Sequence, residues 1–499
     1  MSVSPVNRRF TGRVAVAAML GLLSAGCERG EQGTVAVTLI APDLPGLVDP
    51  ASRAVSDSEG VMLENAAQGL VRFDSEGNIE GGLAERWNVS DDGLSYIFRL
   101  QTGKWPSGRK ISAQDVARLL RRQLVANSRN TLKDTFGAVG QIVAMTDRVL
   151  AIELKAPRPH LLQLLAQPEF ALLREGEGSG PFTFAPDPPK GEQVLTRTLP
   201  QGDDGAEPVS ERVALSAAKA TAAVRGFKTG TSSLVLGGTF ADLAIAIGQR
   251  VPRVSLRFDP VAGLFGLVPA RKTGLAADPE FRSLIDRAID RAALVAALGV
   301  PDLNGRVTHL QPGLDGGIAP ATPVWAAVPL AERRAALVAE ARTLLPPSAN
   351  GTARPPIRIQ LPEGPGAAIL LARLRADWAP LGLTVEPSGK GKPADFRLID
   401  KVAPSVSPAW FLRQFRCGQV PVCLPDADTL LDDARLAAVT ADRNAKFAKA
   451  EALMRAQTLF IPIAAPVRWS LVARGLPGFV ENRFARHPLT ALREARTER

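Results

Sequence analysis

Polar and apolar positions change period several times along this chain, and those changes predict its elements. Residues 34–40 alternate and predict a strand entering the core. Residues 59–70 carry a helical pattern. From residue 71, short apolar runs are separated by turn chemistry: 75–78, Gly81-Gly82 and Asp91-Asp92-Gly93, with a strand at 94–100. That region predicts a β-rich meander with surface turns. Lys104 to Gly108 predicts a hairpin-like turn. Ser112 then caps a helix with Asp115 at the capping-box position and Val116, Leu119, Leu120 and Leu124 on one face. Further on come a strand at 149–154, a short helix at 157–166, a loop-rich stretch at 186–210 and a helix at 215–230. Residues 278–299 give the longest clean helical pattern, from the N-cap Asp278 through Pro279 to Gly299, with Phe281, Leu284, Ile285, Ala288 and Ile289 at helical spacing. Helices at 331–345 and 367–379, strands at 357–361 and 383–386, a helix pair at 428–438 and 442–457, and a strand at 460–463 complete the pattern. No internal repeat is visible.

The N-terminus follows different rules. Arg8, Arg9 and Arg13 precede an apolar run at 14–23, which falls short of the roughly 20 residues needed to span a bilayer. Residues 1–26 are therefore expected to be a signal peptide. Ser24-Ala25-Gly26-Cys27 resembles a lipoprotein processing site, with Ser24 where Leu is usual; it implies a lipid on Cys27, the alternative being plain cleavage. The Arg8-Arg9 pair leaves Sec and twin-arginine export both open.

The chain has 499 residues, enough for two or three domains. Its net charge of +10 is spread without a dense basic block, so no nucleic-acid partner is expected. Besides Cys27 there are only Cys417 and Cys423, an even pair that in an exported protein predicts a disulfide.

One string narrows the function. Leu83, Ala84, Trp87, Asp92, Gly93, Tyr96, Phe98 and Leu100 stand where family 5 bacterial solute-binding proteins, the oligopeptide- and dipeptide-binding group of ABC importers, carry their signature. The chain resembles that family in further places, in the family's order. They include Leu47-Val48-Asp49-Pro50; Trp105, Gly108, Ser112, Ala113, Asp115 and Val116; Ser179-Gly180-Pro181-Phe182; Asp278, Phe281, Arg282, Ala288, Ile289, Asp290 and Arg291; and 460–463. The resemblance implies an α/β, two-lobed periplasmic binding protein (type II, cluster C-like) with an inserted subdomain and a hinge cleft. The expected division is a discontinuous first lobe at 27–70, 176–265 and 465–499, an inserted subdomain at 71–175, and a second lobe at 266–464. It further implies a monomer that captures a peptide-like or other small ligand, hands it to an inner-membrane ABC permease and works in the periplasm.

The same resemblance places ligand contacts at Leu47, Val48 and Asp49 and along Asp400, Lys401 and Trp410. In peptide-binding relatives an Asp in this second segment meets the peptide's ammonium. Here that position falls on Pro404, so Asp400 is the available substitute and Lys401 the candidate partner for a carboxylate or phosphate. Catalytic residues, metal ligands and cofactors are not expected. His160, His309 and His487 are scattered, no HExxH or G-x-S-x-G motif occurs, and nickel or haem, known in the family, would need His or Met at the cleft. The acidic group Asp426, Asp428, Asp432 and Asp433 has helix-start spacing. The rival functions are a transport-independent sensor or envelope interaction protein on the same fold and, further off, a cleft hydrolase.

Overall fold

The structure, a computed structural model, describes residues 33–199, 209–345, 354–389 and 391–493. The expected signal peptide and Cys27 lie outside these residues. Among them, no helix is long and apolar enough to cross a membrane.

Three sheets organise the chain. The first has seven strands in the order Thr183–Phe184, Glu192–Leu199, Val209–Ala218, Thr34–Ile40, Leu234–Thr239, Arg468–Val472, Leu256–Phe258. Thr34–Ile40 is parallel to both its neighbours and its alternate side chains are buried, as its sequence pattern requires. The second sheet has five strands: Val385–Pro387, Ile357–Gln360, Phe396–Val402, Gly263–Pro269, Ile461–Ala464. Its strand Gly263–Pro269 is buried along its whole length. At Gly266 a Cβ would stand 2.3 Å from the Ile461 carbonyl oxygen, so only glycine lets the two strands close up. The chain crosses between these sheets twice, after Phe258 and after Ala464.

The third sheet, Ala84–Val89, Ser95–Leu100, Val149–Leu154 and Val139–Thr146, is antiparallel and belongs to the inserted segment. Helix Ala113–Leu124 packs on it, capped by the Ser112 hydroxyl, which accepts from the Asp115 amide. The Asp115 carboxylate does not return to the cap; it meets Arg109 and Arg118. This segment's apolar core runs without a break from Phe98 and Trp105 into Val268, Trp410, Phe411 and Phe447 of the second lobe, whose sheet begins at Gly263 and not at the expected residue 266. At the same joint the Gln167 side chain donates to the Pro404 carbonyl at 2.8 Å, and the Val406 amide to the Gln163 side chain at 3.3 Å.

Three elements differ from expectation. The stretch 186–210 contains the strand Glu192–Leu199 and the start of Val209–Ala218, paired antiparallel. Turn-rich flanks masked a pairing that only the partner strand completes. The helix expected at 215–230 begins at Ala220, because the preceding residues finish that second strand. The long pattern at 278–299 breaks into Pro279–Ala288 and Arg291–Leu298. Asp290 caps the second helix by accepting from the Ala293 amide, while its own amide donates to Asp377. Both pieces bury apolar residues in one core, so the periodicity runs through the break.

Candidate functional site

Two adjoining cavities lie between the first and second sheets and share Asp57, Val402, Arg468, Phe484 and Arg486. The larger encloses about 840 Å³ including its mouth. Four pieces of local structure build their walls. Strand Phe396–Val402 delivers Asp400 and Lys401 at its end, and the following loop and helix Pro408–Arg413 bring Pro404 and Trp410. Strand Arg468–Val472 begins with Arg468. Helix Asp57–Ala66, held by a capping box between Ser56 and Glu59, presents Asp57 and Glu64. The turn at Pro168–Phe170 adds Glu169.

Arg486 sits among the carboxylates. Its Nε lies 3.4 Å from Glu64 and its Nη2 3.9 Å from Glu169. Asn482 fixes this arginine by accepting from its amide and donating to its carbonyl. It also passes over Gly60, where a Cβ would lie 2.9 Å from Nη1. Arg468 bonds Asp400 at 2.8 Å. Neighbouring His487 pairs with Asp259 at 3.1 Å, and Asp259 accepts from the Asn482 amide.

Burial sets the electrostatics. It pushes the Glu64 carboxyl up to about 7, against the pull of Arg486 and His487. Burial likewise raises Glu169, and raises Asp400 in spite of Arg468. Burial opposes the charge on the two arginines, yet the surrounding acids more than offset it: Asp400 and Asp57 for Arg468, Glu64, Glu169 and Asp57 for Arg486. Lys401 is different. Burial, with Arg397 nearby, lowers it. Its ammonium donates to the Gln414 side-chain oxygen at 3.0 Å and pairs with no carboxylate among the described residues. On the other side, both Glu64 oxygens and Glu169 Oε2 are buried without a hydrogen-bond donor. The cleft thus offers one cation at its exposed mouth, Lys401, and two carboxylates whose buried oxygens have unmet bonding capacity.

Of the residues singled out in the sequence, Asp400, Lys401 and Trp410 line this cleft together. Asp400 is already engaged by Arg468 and is no free amine anchor. Leu47, Val48 and Asp49 are not among the lining residues: Leu47 and Val48 pack against small apolar clusters, and Asp49 meets Arg122 and accepts from the Ala51 amide. Glu64, Glu169, Arg468 and Arg486 escaped the sequence reading. The one available signal was Arg468, a lone cation in the apolar run 467–472.

The cysteines form the expected disulfide, Cys417–Cys423, with Cα atoms 5.1 Å apart. Asp432 of the acidic group meets Arg413, Arg416 and Arg435, and Asp428 accepts from the Cys417 amide. No metal-binding group of three or more His, Cys, Asp or Glu occurs among the described residues. His309 is core: its ring stands edge-on to Phe415 and Phe460, and burial drives it down to about 3. His160 is mostly buried and meets Asp315 at 2.9 Å.

Known proteins agree with this architecture. The chain is 24% identical over 471 residues to a probable di/tripeptide-binding protein of Pseudomonas aeruginosa, covering 84% of this chain and 88% of that one. A probable deoxycholate-binding periplasmic protein of Escherichia coli is 29% identical over 143 residues; that match spans only 26% of the relative's length. In fold, the chain is similar to Haemophilus influenzae OppA in complex with a peptide, with a TM-score of 0.79 at 16% identity, covering 93% of this chain and 99% of that one. It is also similar to the Escherichia coli murein tripeptide binding protein MppA, with a TM-score of 0.77 at 19% identity, covering 92% and 98%. These relatives are described as binding proteins, not enzymes. The model for bacterial extracellular solute-binding proteins, family 5 (Middle), matches residues 78–407, and the chain belongs to that family.

Proposed function

We propose that this protein is the solute receptor of an ABC importer and takes a small zwitterion of peptide-like character. Its ligand places a carboxylate on Lys401 and an ammonium beside Arg486, on the Glu64 carboxyl, whose oxygens accept no hydrogen bond. The observation that carries this is the pair of unmet charges: Lys401 without an anion on one wall, Glu64 without a donor on another. A ligand that leaves water must bring partners for such groups, and a zwitterion brings both. The di/tripeptide-binding relative is consistent with this ligand class. The acid that Pro404 replaces is then supplied from elsewhere: the amine subsite moves to Glu64 on helix Asp57–Ala66 and Glu169 on the Pro168–Phe170 turn.

Binding joins the two lobes across the crevice, and an inner-membrane permease recognises the closed form. The mature chain works as a monomer in the periplasm, held to the membrane by a lipid on Cys27. Lys401, Glu64 and Trp410 are the proposed ligand residues; the chain supplies no catalytic group.

Native mass spectrometry of protein purified without refolding, followed by a thermal-shift screen of di- and tripeptides, tests the ligand class. A bound zwitterion, or a peptide that raises Tm, is the expected result. A bound mass lacking either an amine or an acid overturns it. The pH dependence is a second check. Glu64 titrates near 7 in the empty cleft, and the ligand's ammonium needs the carboxylate. Affinity therefore falls as pH drops below about 7, by up to about tenfold per unit, with proton release on binding. A flat profile between pH 5.5 and 7.5 removes Glu64 from the amine subsite.

A further inference from the structure

A second cavity lies away from this cleft, between the inserted subdomain and the second lobe. It encloses about 740 Å³ including its open mouth. Four guanidiniums line it: Arg158 from the subdomain and Arg413, Arg435 and Arg443 from the second lobe. The only carboxylates in its wall are Asp134 and Asp315, and Asp315 is engaged by His160. Behind the wall, Asp432 alone serves Arg413 and Arg435, and Arg416 besides.

Arg158 and Arg443 pair with no carboxylate among the described residues. Arg158 donates only to the Pro157 and Arg435 carbonyls; Arg443 reaches the Pro157 carbonyl at 3.4 Å and the Thr440 hydroxyl at 3.3 Å. The Nε atoms of Arg413 and Arg435 are buried with no acceptor. Leu161, Leu164, Trp410, Leu431 and Phe447 give the wall an apolar part, beside the polar Thr135, Ser405, Ser407 and Asn444. Burial and the neighbouring Arg443, Arg435 and Arg413 pull the Arg158 guanidinium down to about 10, the mark of cations crowded without anions.

We propose that this cavity binds a small organic anion, an acid group on an apolar body, which bridges the inserted subdomain and the second lobe. The acid group supplies the counter-charge that Arg158 and Arg443 lack and that Arg413 and Arg435 get only from the shared Asp432, and the apolar body packs on the leucines and aromatics. Inorganic phosphate answers only the first requirement. Because Arg158 comes from one body and Arg413, Arg435 and Arg443 from the other, the anion holds the two together and favours their packed arrangement. The site shares Trp410 with the zwitterion cleft and is otherwise distinct from it: Lys401, Glu64, Arg468 and Arg486 are not among its lining residues.

The probe is 2-naphthoate, titrated calorimetrically into the full mature protein. Saturable binding is expected, weakened at least tenfold by Arg158→Gln and by Arg443→Gln, and changed less than twofold by the cleft variant Lys401→Gln. Hydrogen exchange on the unmutated protein locates the site without any variant: protection should rise in 157–164 and 431–447. No binding of 2-naphthoate, equal binding by Arg158→Gln, or protection confined to 400–404 overturns the proposal. Equally tight binding of 2-naphthalenemethanol removes the arginines from the account, and equally tight binding of inorganic phosphate removes the apolar wall; either refutes it. Loss of zwitterion binding in Lys401→Gln bears on the cleft alone.

Discussion

The interlobe cleft and the arginine cavity hold similar numbers of ionic groups and treat them in opposite ways. In the cleft, Arg486 stands between Glu64 and Glu169, and Arg468 is bonded to Asp400. Opposite charges there are interleaved; Lys401 alone has no counter-ion among the cleft's described residues, and the buried Glu64 oxygens face Arg486 without accepting a hydrogen bond. In the second cavity four guanidiniums face one another, and the nearest shared carboxylate, Asp432, sits behind them. Interleaved charge can be carried into low dielectric, because each desolvated ion has a partner; like charge cannot, unless something enters to neutralise it. That difference underlies the two proposals: a ligand of no net charge for the cleft, an anion for the other cavity.

Breaking the interleaving gives the largest expected effect. Arg486→Met leaves Glu64 and Glu169 buried without a cation and costs about 3–5 kcal/mol of stability at pH 8. The loss shrinks at pH 5, where Glu64 carries a proton; denaturant melts at the two pH values measure it. Next comes Glu64→Gln. The folded-state Glu64 value, about 7, lies above the ordinary glutamate value of 4.5. Folding takes up a proton between those values, so stability falls as pH rises through that window and then levels. The variant is stabilised at pH 8, by at most about 3 kcal/mol, and hardly changed at pH 4.5. Equal effects at both pH values would remove the buried carboxyl as the cause.

Lys401→Gln leaves Tm nearly unchanged but weakens the zwitterion by about 2 kcal/mol, the worth of one charge-assisted hydrogen bond, roughly 30-fold in Kd. Arg443→Gln has the smallest effect. Two long hydrogen bonds are lost and repulsion among guanidiniums is relieved, so stability moves by less than about 1 kcal/mol. A large loss there would show that the arginine cavity is already neutralised within the protein, and the contrast between the two sites would fail.

Local chemistry explains what was legible in the chain. The Ser112 cap, the alternation in Thr34–Ile40 and the turns around Asp92 depend on neighbours a few residues away, and each stands in the structure. Where an element needed a distant partner, the pattern misled. Glu192–Leu199 reads as loop until Val209–Ala218 lies beside it. Ile289 and Asp290 read as helix until Asp290 turns to cap the next one. Of the cleft, the strand end at Asp400 and Lys401 was visible through motif placement. Its partners Glu64, Glu169, Arg468 and Arg486 come from four separate segments, and nothing local marks them as neighbours.

The sequence alone determined the exported α/β character, most element positions, the cysteine pair and the family, because periodicity, capping and turn chemistry act over a few residues. Only the tertiary structure decided which charges meet. Burial gives a carboxyl or a guanidinium its chemical character, and burial depends on surfaces that residues hundreds of positions apart bring together.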